Sequence, residues 1–248
     1  MNPRGSEGVE KDFAARLRDE TLAALAEFAA GAGHEINNPL ATILICAQRL
    51  QASLSDPEQR RLVATIGGQA LRVRDMIGDV MLFARPPAPR PEPVDLSTVM
   101  ADVLDRFRGS LAEQRIATTI DMPAGVSVMA DPTQLRVVVS ELLRNSIHAQ
   151  PDGGRITIAC RLPTSPESDL AVLSVTDSGT GLDEVSRRRL FDPFYSGRQA
   201  GRGLGFGLCK VWRIVTNHGG RIDVAEPAGG GLAVTIHWPT KAVPSAAP

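Results

Sequence analysis

A histidine, a glutamate and an asparagine lie close together in the segment 33–40, whose sequence is Gly-His-Glu-Ile-Asn-Asn-Pro-Leu. A neutral imidazole is a competent nucleophile near pH 7, and an adjacent carboxylate can take its proton or hold its tautomer. His34 and Asn38 are four residues apart and share one face of a predicted helix, with Glu35 beside them. A lone helical histidine is more often an ordinary polar or core residue. The neighbouring carboxylate and carboxamide indicate a histidine that is presented for chemistry.

A second group of polar residues, in the C-terminal half, has the types that bind a nucleotide and its metal ion. Glu141, Asn145 and His148 fall on one face of a predicted helix. An asparagine carbonyl is a hard oxygen ligand that suits a Mg²⁺ ion retaining several waters. Asp177 directly follows an aliphatic strand, where a carboxylate can accept a hydrogen bond from an adenine amino group. Taken alone, the Asp-x-Gly-x-Gly pattern that begins at Asp177 is more often a simple turn.

Glycines supply the third element of this chemistry. Gly179 and Gly181 follow Asp177 and allow the backbone to approach a base closely. The segment 201–208, Gly-Arg-Gly-Leu-Gly-Phe-Gly-Leu, leads into a predicted helix and would expose several N–H groups to phosphate oxygens. It is not the dinucleotide fingerprint, because the spacing differs and no strand directly precedes it. Arg198 and Arg202 could add positive charge, although exposed loop arginines are common.

Two long helices are predicted to position the histidine. The first runs from about residue 9 to 53, and the second follows a tight reversal at 55–58, where Ser55 and Glu58 have capping-box spacing. Pro39 has no N–H and should bend the first helix below the histidine. Both helices carry an apolar stripe with alternating spacings of three and four residues. The stripe residues are Ile36, Leu40, Ile43, Ala47, Leu50 and Leu54 in the first helix, and Leu62, Ile66, Gln69, Val73, Met76, Val80 and Phe83 in the second.

A lone hairpin cannot bury both stripes, which favours pairing with a second copy into a four-helix bundle. The alternative is that the hairpin packs on its own C-terminal domain. The proline-dense segment 86–94 cannot be helical and marks a domain boundary. Beyond it, strands are predicted at 116–120, 126–129, 155–161, 170–176, 221–225 and 232–238, with helices at 96–114, 132–149 and 205–217. This mixture predicts a sheet with helices on one face.

Composition restricts the class of protein. Hydrophobic residues make up 43% and charged residues 22% of 248 residues, which is typical of a globular protein. The net charge of −1 gives no support to a nucleic-acid surface. Cys46, Cys160 and Cys209 are far apart and lack metal-ligand spacing, which favours buried or idle thiols in a reducing compartment. No run of eighteen apolar residues and no signal-peptide pattern is found, so we expect a cytoplasmic location.

The segment 34–40 resembles the phospho-acceptor box of sensor histidine kinases of two-component systems. In that family the histidine accepts the γ-phosphoryl group of ATP and passes it to an aspartate of a response regulator. The resemblance implies that His34 is the acceptor and Glu35 the general base. It also links Asn38 to phosphatase activity toward the regulator, through positioning of a water molecule. The alternative for Asn38 is that it merely precedes Pro39 and eases the bend there.

Four clusters resemble the Bergerat-type ATP-binding fold shared by histidine kinases, gyrase-like ATPases and Hsp90 chaperones. They are residues 141–149, 177–182, 190–195 and 201–208, in the order of the family. The resemblance implies ATP and Mg²⁺ as cofactors, with Asn145 as the metal ligand and Asp177 binding adenine. The segment 190–195 would form a flap over the nucleotide. The implied ATP-binding residues are Glu141, Asn145, His148, Asp177, Gly179, Gly181, Phe194, Arg202, Gly203, Gly205, Gly207 and Leu208.

His148 departs from the family pattern, because many relatives have lysine or arginine near the phosphates at this position. Its alternative role is an incidental polar surface residue.

The implied fold is α+β, with a helical hairpin that forms a dimeric four-helix bundle and then an α/β sandwich ATP-binding domain. We expect a disordered N-terminus at 1–8, the dimerisation and phosphotransfer hairpin at 9–85 and a linker at 86–94. The catalytic domain would span 95–240 and a disordered tail 241–248. The expected partners are a second copy of the chain, the receiver domain of a response regulator and a separate sensory domain or protein. Neither nucleic acid nor a membrane segment is expected.

Two rival functions remain open at this point. In a gyrase- or Hsp90-like ATPase, Glu141 would activate water, but that reading leaves His34, Glu35 and the hairpin unexplained. In a degenerate nucleotide-binding scaffold that docks a regulator, some of the residues named above would usually be lost. Retention of His34, Glu35, Asn145 and Asp177 favours the kinase.

Overall fold

The computed structural model describes residues 24, 27, 31, 33, 35–163, 169–195 and 205–241. The chain divides into two compact units, residues 1–87 and 88–248. His34, the predicted disordered segment 1–8 and residues 242–248 of the predicted tail lie outside the described residues. None of the helices in the described part of the chain is both long and apolar enough to cross a membrane.

The first unit contains two helices, α1 over residues 35–53 and α2 over Pro57–Ala84. Two contacts show that the helices are antiparallel. The Cβ of Ala47 lies 3.7 Å from a Cβ built on Gly67, and a Cβ on Gly33 would lie 2.6 Å from Sδ of Met81. Gly33 therefore permits a close approach between the helices beside the predicted acceptor histidine.

The N-cap of helix α2 lies one residue later than the sequence predicted. Asp56, rather than Ser55, is the N-cap, and its side chain accepts a hydrogen bond from the N–H of Glu58 at 3.0 Å. Pro57 then occupies the first helical position, where its missing N–H costs nothing. Since the cap is the residue directly before the first helical one, the proline determines which of the two candidates takes this role.

Each predicted apolar stripe has buried and exposed members. Leu40, Ala47 and Phe83 are the buried ones. The exposed members are Ile43, Leu50, Leu62, Ile66 and Val73. The predicted stripes are therefore only partly covered within one chain.

The second unit contains a two-stranded and a five-stranded sheet with three principal helices. Its strands are β1 (Glu92–Asp95), β2 (Ile116–Asp121), β3 (Ser127–Ala130), β4 (Gly154–Arg161), β5 (Leu170–Asp177), β6 (Arg221–Ala225) and β7 (Ala233–Pro239). Its helices are α3 (Leu96–Glu113), α4 (Pro132–His148), α5 (Glu184–Arg188) and α6 (Gly207–Asn217). The order in the large sheet is β2-β4-β5-β7-β6, with only β2 and β4 parallel among these pairs, and β1 pairs antiparallel with β3.

One face of the large sheet forms the core. Along β4, β5 and β7 every second side chain is buried, and the buried ones include Ile158, Val175 and Val234, which are paired across the three strands. The helices α3, α4 and α6 supply the opposing apolar side chains. The prediction of a sheet with helices on one face is confirmed. Helix α4 contacts both of the other helices as well as β5, which makes it the central element of the unit.

Three features of this unit differ from the sequence prediction. Residues 92–94, predicted as the end of a linker, belong to strand β1, which pairs with β3 in register from Glu92 opposite Ala130. A short helix, α5, lies between the predicted strand 170–176 and the predicted helix 205–217, where no helix was predicted, and Asp183 caps its first turn. Lys241, assigned to the predicted tail, forms an ion pair with Asp169 at 2.7 Å.

A buried histidine connects the start of α4 with the end of α6. The N–H of Asp131 donates to Nε2 of His218 at 3.0 Å, and Nδ1 of His218 lies 2.8 Å from the carbonyl oxygen of Ile214. The imidazole packs against Trp238, with 4.8 Å between the ring centroids. Burial lowers the pKa of His218. The ring is therefore neutral near pH 7, with its proton on Nδ1, where it can donate to Ile214 while Nε2 accepts.

Candidate functional site

Helix α4 brings two of the predicted residues to the start of α6. A Cβ on Gly207, the first residue of α6, would lie 3.1 Å from Oε2 of Glu141 and 3.5 Å from Oδ1 of Asn145. These side chains therefore lie directly against the helix N-terminus, whose first N–H groups have no partner within the helix. Helix α4 begins at residue 132 as predicted, and Asp131 caps it by accepting hydrogen bonds from the N–H groups of Thr133 and Gln134. His148 is exposed in the last turn of the same helix.

Glu141 is bound to two cations that the sequence analysis did not single out. Its Oε1 lies 2.7 Å from Nζ of Lys210 and 2.7 Å from a guanidinium nitrogen of Arg144. Lys210 and Glu141 are both buried, whereas the Arg144 side chain is 46% exposed. A lysine inside the otherwise apolar stretch 208–212 was the available signal, because a buried ammonium needs a partner.

Asp177 lies at the end of β5 and is buried. Its Oδ1 accepts hydrogen bonds from the N–H of Gly179 at 2.9 Å and of Leu232 at 3.2 Å. Ser146 of α4 also hydrogen-bonds to this carboxylate. Burial raises the pKa of the Asp177 carboxyl, while these hydrogen bonds act in the opposite direction. The carboxylate is thus held in one orientation by backbone on two sides.

The loop that follows Asp177 lies close to neighbouring backbone at several glycines. Gly231 has φ +85°, and a Cβ there would lie only 1.9 Å from the Asp177 carbonyl oxygen. A Cβ on Gly179 would lie 2.7 Å from the carbonyl oxygen of Ala149, at the end of α4. Gly181 has φ +72°, a conformation that favours glycine. Each of these glycines is required by the local geometry.

A buried glutamine that was also not anticipated anchors the same loop. Oε1 of Gln150 lies 2.8 Å from Oγ of Ser178 and accepts from the N–H of Arg155 at 2.8 Å. Its Nε2 donates to the Ser146 carbonyl oxygen at 3.0 Å. The C-terminal part of α4 and Gln150, two residues beyond the helix, therefore position both parts of the site, namely the Asp177 loop and the pair formed by Asn145 and Gly207.

The predicted flap has an aromatic contact with the start of α6. The exposed Phe194 ring meets the buried Phe206 ring edge-on, with 4.8 Å between centroids. Phe194 has φ +62°, a strained conformation for an aromatic residue. Gly205 has φ +74°, and a Cβ there would lie 2.2 Å from the Tyr195 carbonyl oxygen. Tyr195 is held in turn by Ser186, whose hydroxyl lies 2.8 Å from the phenol oxygen.

The remaining predicted site residues divide into three groups. Leu208 lies in the first turn of α6. Arg198, Arg202 and Gly203 lie outside the described residues. Glu35 and Asn38 are exposed on α1, and the carbonyl oxygen of Asn38 accepts from the Thr42 hydroxyl at 3.2 Å.

No group of three or more His, Cys, Asp or Glu side chains that could hold a metal ion occurs among the described residues. A metal at Asn145 would therefore need oxygen ligands from a bound molecule and from water. This donor set fits Mg²⁺, which usually retains waters and binds phosphate oxygens.

Family models match both units. The phospho-acceptor domain model HisKA (His Kinase A) matches residues 24–89. The model of the histidine kinase-, DNA gyrase B- and HSP90-like ATPases matches residues 130–242. The chain is 33% identical over 227 residues to the sensor histidine kinase ZraS of Klebsiella oxytoca, covering 91% of this chain and 48% of ZraS. It is also 33% identical over 234 residues to the sensor protein kinase PilS of Pseudomonas aeruginosa, covering 92% and 44%.

Solved structures have the same fold. Full-length ShkA in complex with AMPPNP superimposes with a TM-score of 0.75 at 24% identity, covering 88% of this chain and 47% of that one. The histidine kinase ThkA in complex with the response regulator protein TrrA gives a TM-score of 0.62 at 22% identity, covering 93% and 66%. The chain spans less than half the length of ZraS and PilS. With a phospho-acceptor domain followed by an ATPase-type domain, it belongs to the sensor histidine kinases of two-component systems.

Proposed function

We propose that this chain is an ATP-dependent protein histidine kinase that phosphorylates His34 and passes the phosphoryl group to an aspartate of a response regulator. The observation that carries the proposal is the position of the residues of α4. Ser146 hydrogen-bonds to the buried Asp177, and Asn145 lies against Gly207 at the start of α6. Adenine would bind at Asp177 and the phosphates at the N-terminus of α6, where free N–H groups stabilise negative charge.

Asn145 is proposed to hold Mg²⁺ through its carbonyl oxygen, together with phosphate oxygens and water. The ion would neutralise charge on the phosphates as the reaction proceeds. Asn145→Ala is expected to remove Mg²⁺-dependent nucleotide binding and autophosphorylation together. Asn217→Ala, at an exposed position near the end of α6, serves as the control.

The transfer step requires a nucleophile and a base on the hairpin. An imidazole nitrogen of His34 would form a bond to the γ-phosphorus while the bond from that phosphorus to the β–γ bridging oxygen breaks and ADP leaves. The imidazole proton would pass to Glu35, the adjacent carboxylate, which is exposed on α1 and accessible to a proton acceptor in solution. The catalytic contribution of the protein would then be mainly positioning and charge stabilisation.

The hairpin is proposed to act as a homodimer, with residues 9–85 as the dimerisation and phosphotransfer region and 95–240 as the catalytic domain. Exposed apolar residues on both helices support it, because a second copy would cover Ile43 and Leu50 of α1 together with Ile66 of α2. The histidine kinase ThkA, whose solved structure has the same fold, is in complex with the response regulator protein TrrA. A receiver domain of that class is the proposed partner here.

Incubation of the full chain with γ-labelled ATP and Mg²⁺ tests the proposal against its rivals. A histidine kinase gives acid-labile, alkali-stable label on the protein, which a cognate receiver domain then removes. An ATPase releases inorganic phosphate without labelling the protein, and a scaffold does neither. Absence of protein-bound label alongside tight ATP binding would contradict the kinase.

A second activity, removal of phosphate from the regulator, is proposed for Asn38. Its side chain offers a donor and an acceptor at one tip and is exposed one helical turn after the acceptor position. It could therefore orient a water molecule toward an aspartyl-phosphate. Asn38→Ala is expected to keep autophosphorylation while the phosphorylated regulator decays at its intrinsic rate. Continued acceleration of that decay by the variant would exclude this role.

A further inference from the structure

Lys210 and Glu141 form a buried ion pair between the two helices that build the proposed phosphate end of the site. The side chains are 3% and 8% exposed, and Nζ lies 2.7 Å from Oε1. Burying either charge without a partner is strongly unfavourable. Lys210 occupies the first turn of α6 and Glu141 the third turn of α4, so the pair joins these helices directly.

The carboxylate of this pair has two oxygens in different surroundings. Oε1 binds both Lys210 and Arg144, whereas Oε2 lies 3.1 Å from the position of a Cβ on Gly207. Gly207 begins α6, and its neighbour Asn145 is the proposed metal ligand. A negative charge at this place would repel a nucleotide's phosphates, and the repulsion would be strong because the Glu141 side chain is buried, where water screens charge weakly.

We propose that Lys210 is a positioning residue that makes the phosphate end of the site electrostatically compatible with ATP. It neutralises Glu141 from the buried side, with no contact to the nucleotide of its own. This inference rests on the proposed binding of phosphates at the N-terminus of α6. Lys210 would thereby contribute to the selection of phosphate-bearing ligands.

Arg144 provides an internal comparison, because it binds the same oxygen at the same distance. Its side chain is 46% exposed, so water screens its charge, whereas Lys210 is fully enclosed. Loss of the buried cation should therefore weaken phosphate binding more than loss of the exposed one. A role limited to packing would not produce this order, since it would affect every ligand of the site equally.

The test measures the dissociation constants of ATP, ADP and adenosine for the full chain in the presence of Mg²⁺. Lys210→Met is expected to weaken ATP binding roughly tenfold and ADP binding by less, and to leave adenosine unchanged. Arg144→Met should weaken ATP binding by less than about threefold. Lys210→Arg, which keeps the charge, should bind ATP nearly as the parent does. Lys241→Met makes the same change in net charge at an exposed position and is the control.

The double variant Glu141→Gln/Lys210→Met removes both charges and leaves no buried unpaired charge. Because the repelling carboxylate is gone, it is expected to bind ATP more tightly than Lys210→Met does, with adenosine binding unchanged between the two. If Lys210→Met alone does not fold, the double variant is compared with Glu141→Gln, and it should bind ATP roughly tenfold more weakly than that variant, again with adenosine unchanged. Equal weakening of ATP and adenosine, unchanged ATP affinity in Lys210→Met, or a double variant that binds ATP no more tightly than Lys210→Met and no more weakly than Glu141→Gln would each overturn the inference. If the parent itself fails to bind ATP, the proposed function fails instead.

Discussion

The two units of this protein cover their apolar residues to very different extents. In the described part of the hairpin, only Leu40, Ala47, Ala70, Phe83 and Ala84 are buried apolar side chains, whereas seven large ones are at least 40% exposed. In the second unit a continuous core lies between the large sheet and its helices, and side chains such as Val103, Ile158 and Ile236 are fully enclosed. The second unit can therefore be stable alone, while the hairpin needs a partner surface.

The two units also differ in the part of the proposed reaction that each would carry. The acceptor box lies on a helix whose side chains are mostly exposed, which is suited to meeting a nucleotide and then a regulator. The nucleotide site is built on buried side chains that are fixed by several hydrogen bonds each, including Asp177 and Gln150. Variants should therefore affect one unit at a time, and this expectation can be tested.

The largest effect is expected from a charge on the exposed stripe of the hairpin. Ile66→Asp would place a carboxylate in the proposed apolar dimer interface and is expected to raise the dimer dissociation constant by at least about a hundredfold. Sedimentation over a range of concentrations measures this change. Ala64→Asp adds the same charge to another face of α2 and should leave the dimer intact. Equal behaviour of the two variants would exclude this face as the interface.

A comparably specific disruption of the second unit is expected from Gly231→Ala. The new Cβ would lie 1.9 Å from the Asp177 carbonyl oxygen at a residue with φ +85°, so the loop must move or unfold. We expect a loss of at least about 2 kcal/mol in the free energy of unfolding. Gly229→Ala, where a Cβ meets nothing within 4 Å, is the matched control. Tryptophan fluorescence reports on this unit alone, because Trp212 and Trp238 are the only tryptophans of the chain.

Asp177→Asn is expected to weaken ATP about ten- to thirtyfold, because the adenine amino group loses a charged acceptor. The free energy of unfolding should not be lowered in the way that ATP affinity is. The raised pKa of Asp177 means that ionisation is less favourable in the folded than in the unfolded state. The Asp177 carboxyl therefore contributes to the free energy of unfolding at low pH, and this contribution is lost as the pH rises through the folded-state pKa. Near pH 7 the unliganded variant should therefore be at least as stable as the parent. Asp223→Asn, on exposed β6, is the control.

The smallest effect concerns the pH dependence of the second unit. Since burial lowers the pKa of His218, the unfolded chain binds a proton near pH 6.5 that the folded protein does not. The free energy of unfolding should fall as the pH drops below about 6.5, by at most about 1.4 kcal/mol per pH unit. His218→Gln should reduce this slope, and His148→Gln, at an exposed position, should not. An unchanged slope in His218→Gln would assign the titration to other groups.

Local signals in the sequence predicted much of this architecture. The predicted helix 132–149 begins where α4 does, and the predicted strands 155–161, 170–176 and 232–238 lie within a residue or two of the observed ends of β4, β5 and β7. These signals depend on neighbours along the chain. They also placed Glu141 and Asn145 on one helix face, which the structure brings against Gly207.

Long-range contacts could not be predicted in the same way. Glu141 and Lys210 are 69 residues apart, and neither residue type specifies the other as its partner. Strand β1 was not predicted, because Pro93 and the prolines before it favour a linker. The strand depends on pairing with β3, which lies more than thirty residues away. The heptad pattern of the hairpin predicted apolar contact but did not distinguish residues buried inside one chain from those left for a partner.

The central claim, that the nucleotide unit phosphorylates the hairpin, is tested most directly by comparing the parent with His34→Gln. Both proteins are incubated with γ-labelled ATP, and their ATP dissociation constants are measured in parallel. The variant is expected to incorporate no acid-labile label, while its ATP affinity stays within about twofold of the parent value. Acid-labile label on His34→Gln at the parental level would contradict the central claim.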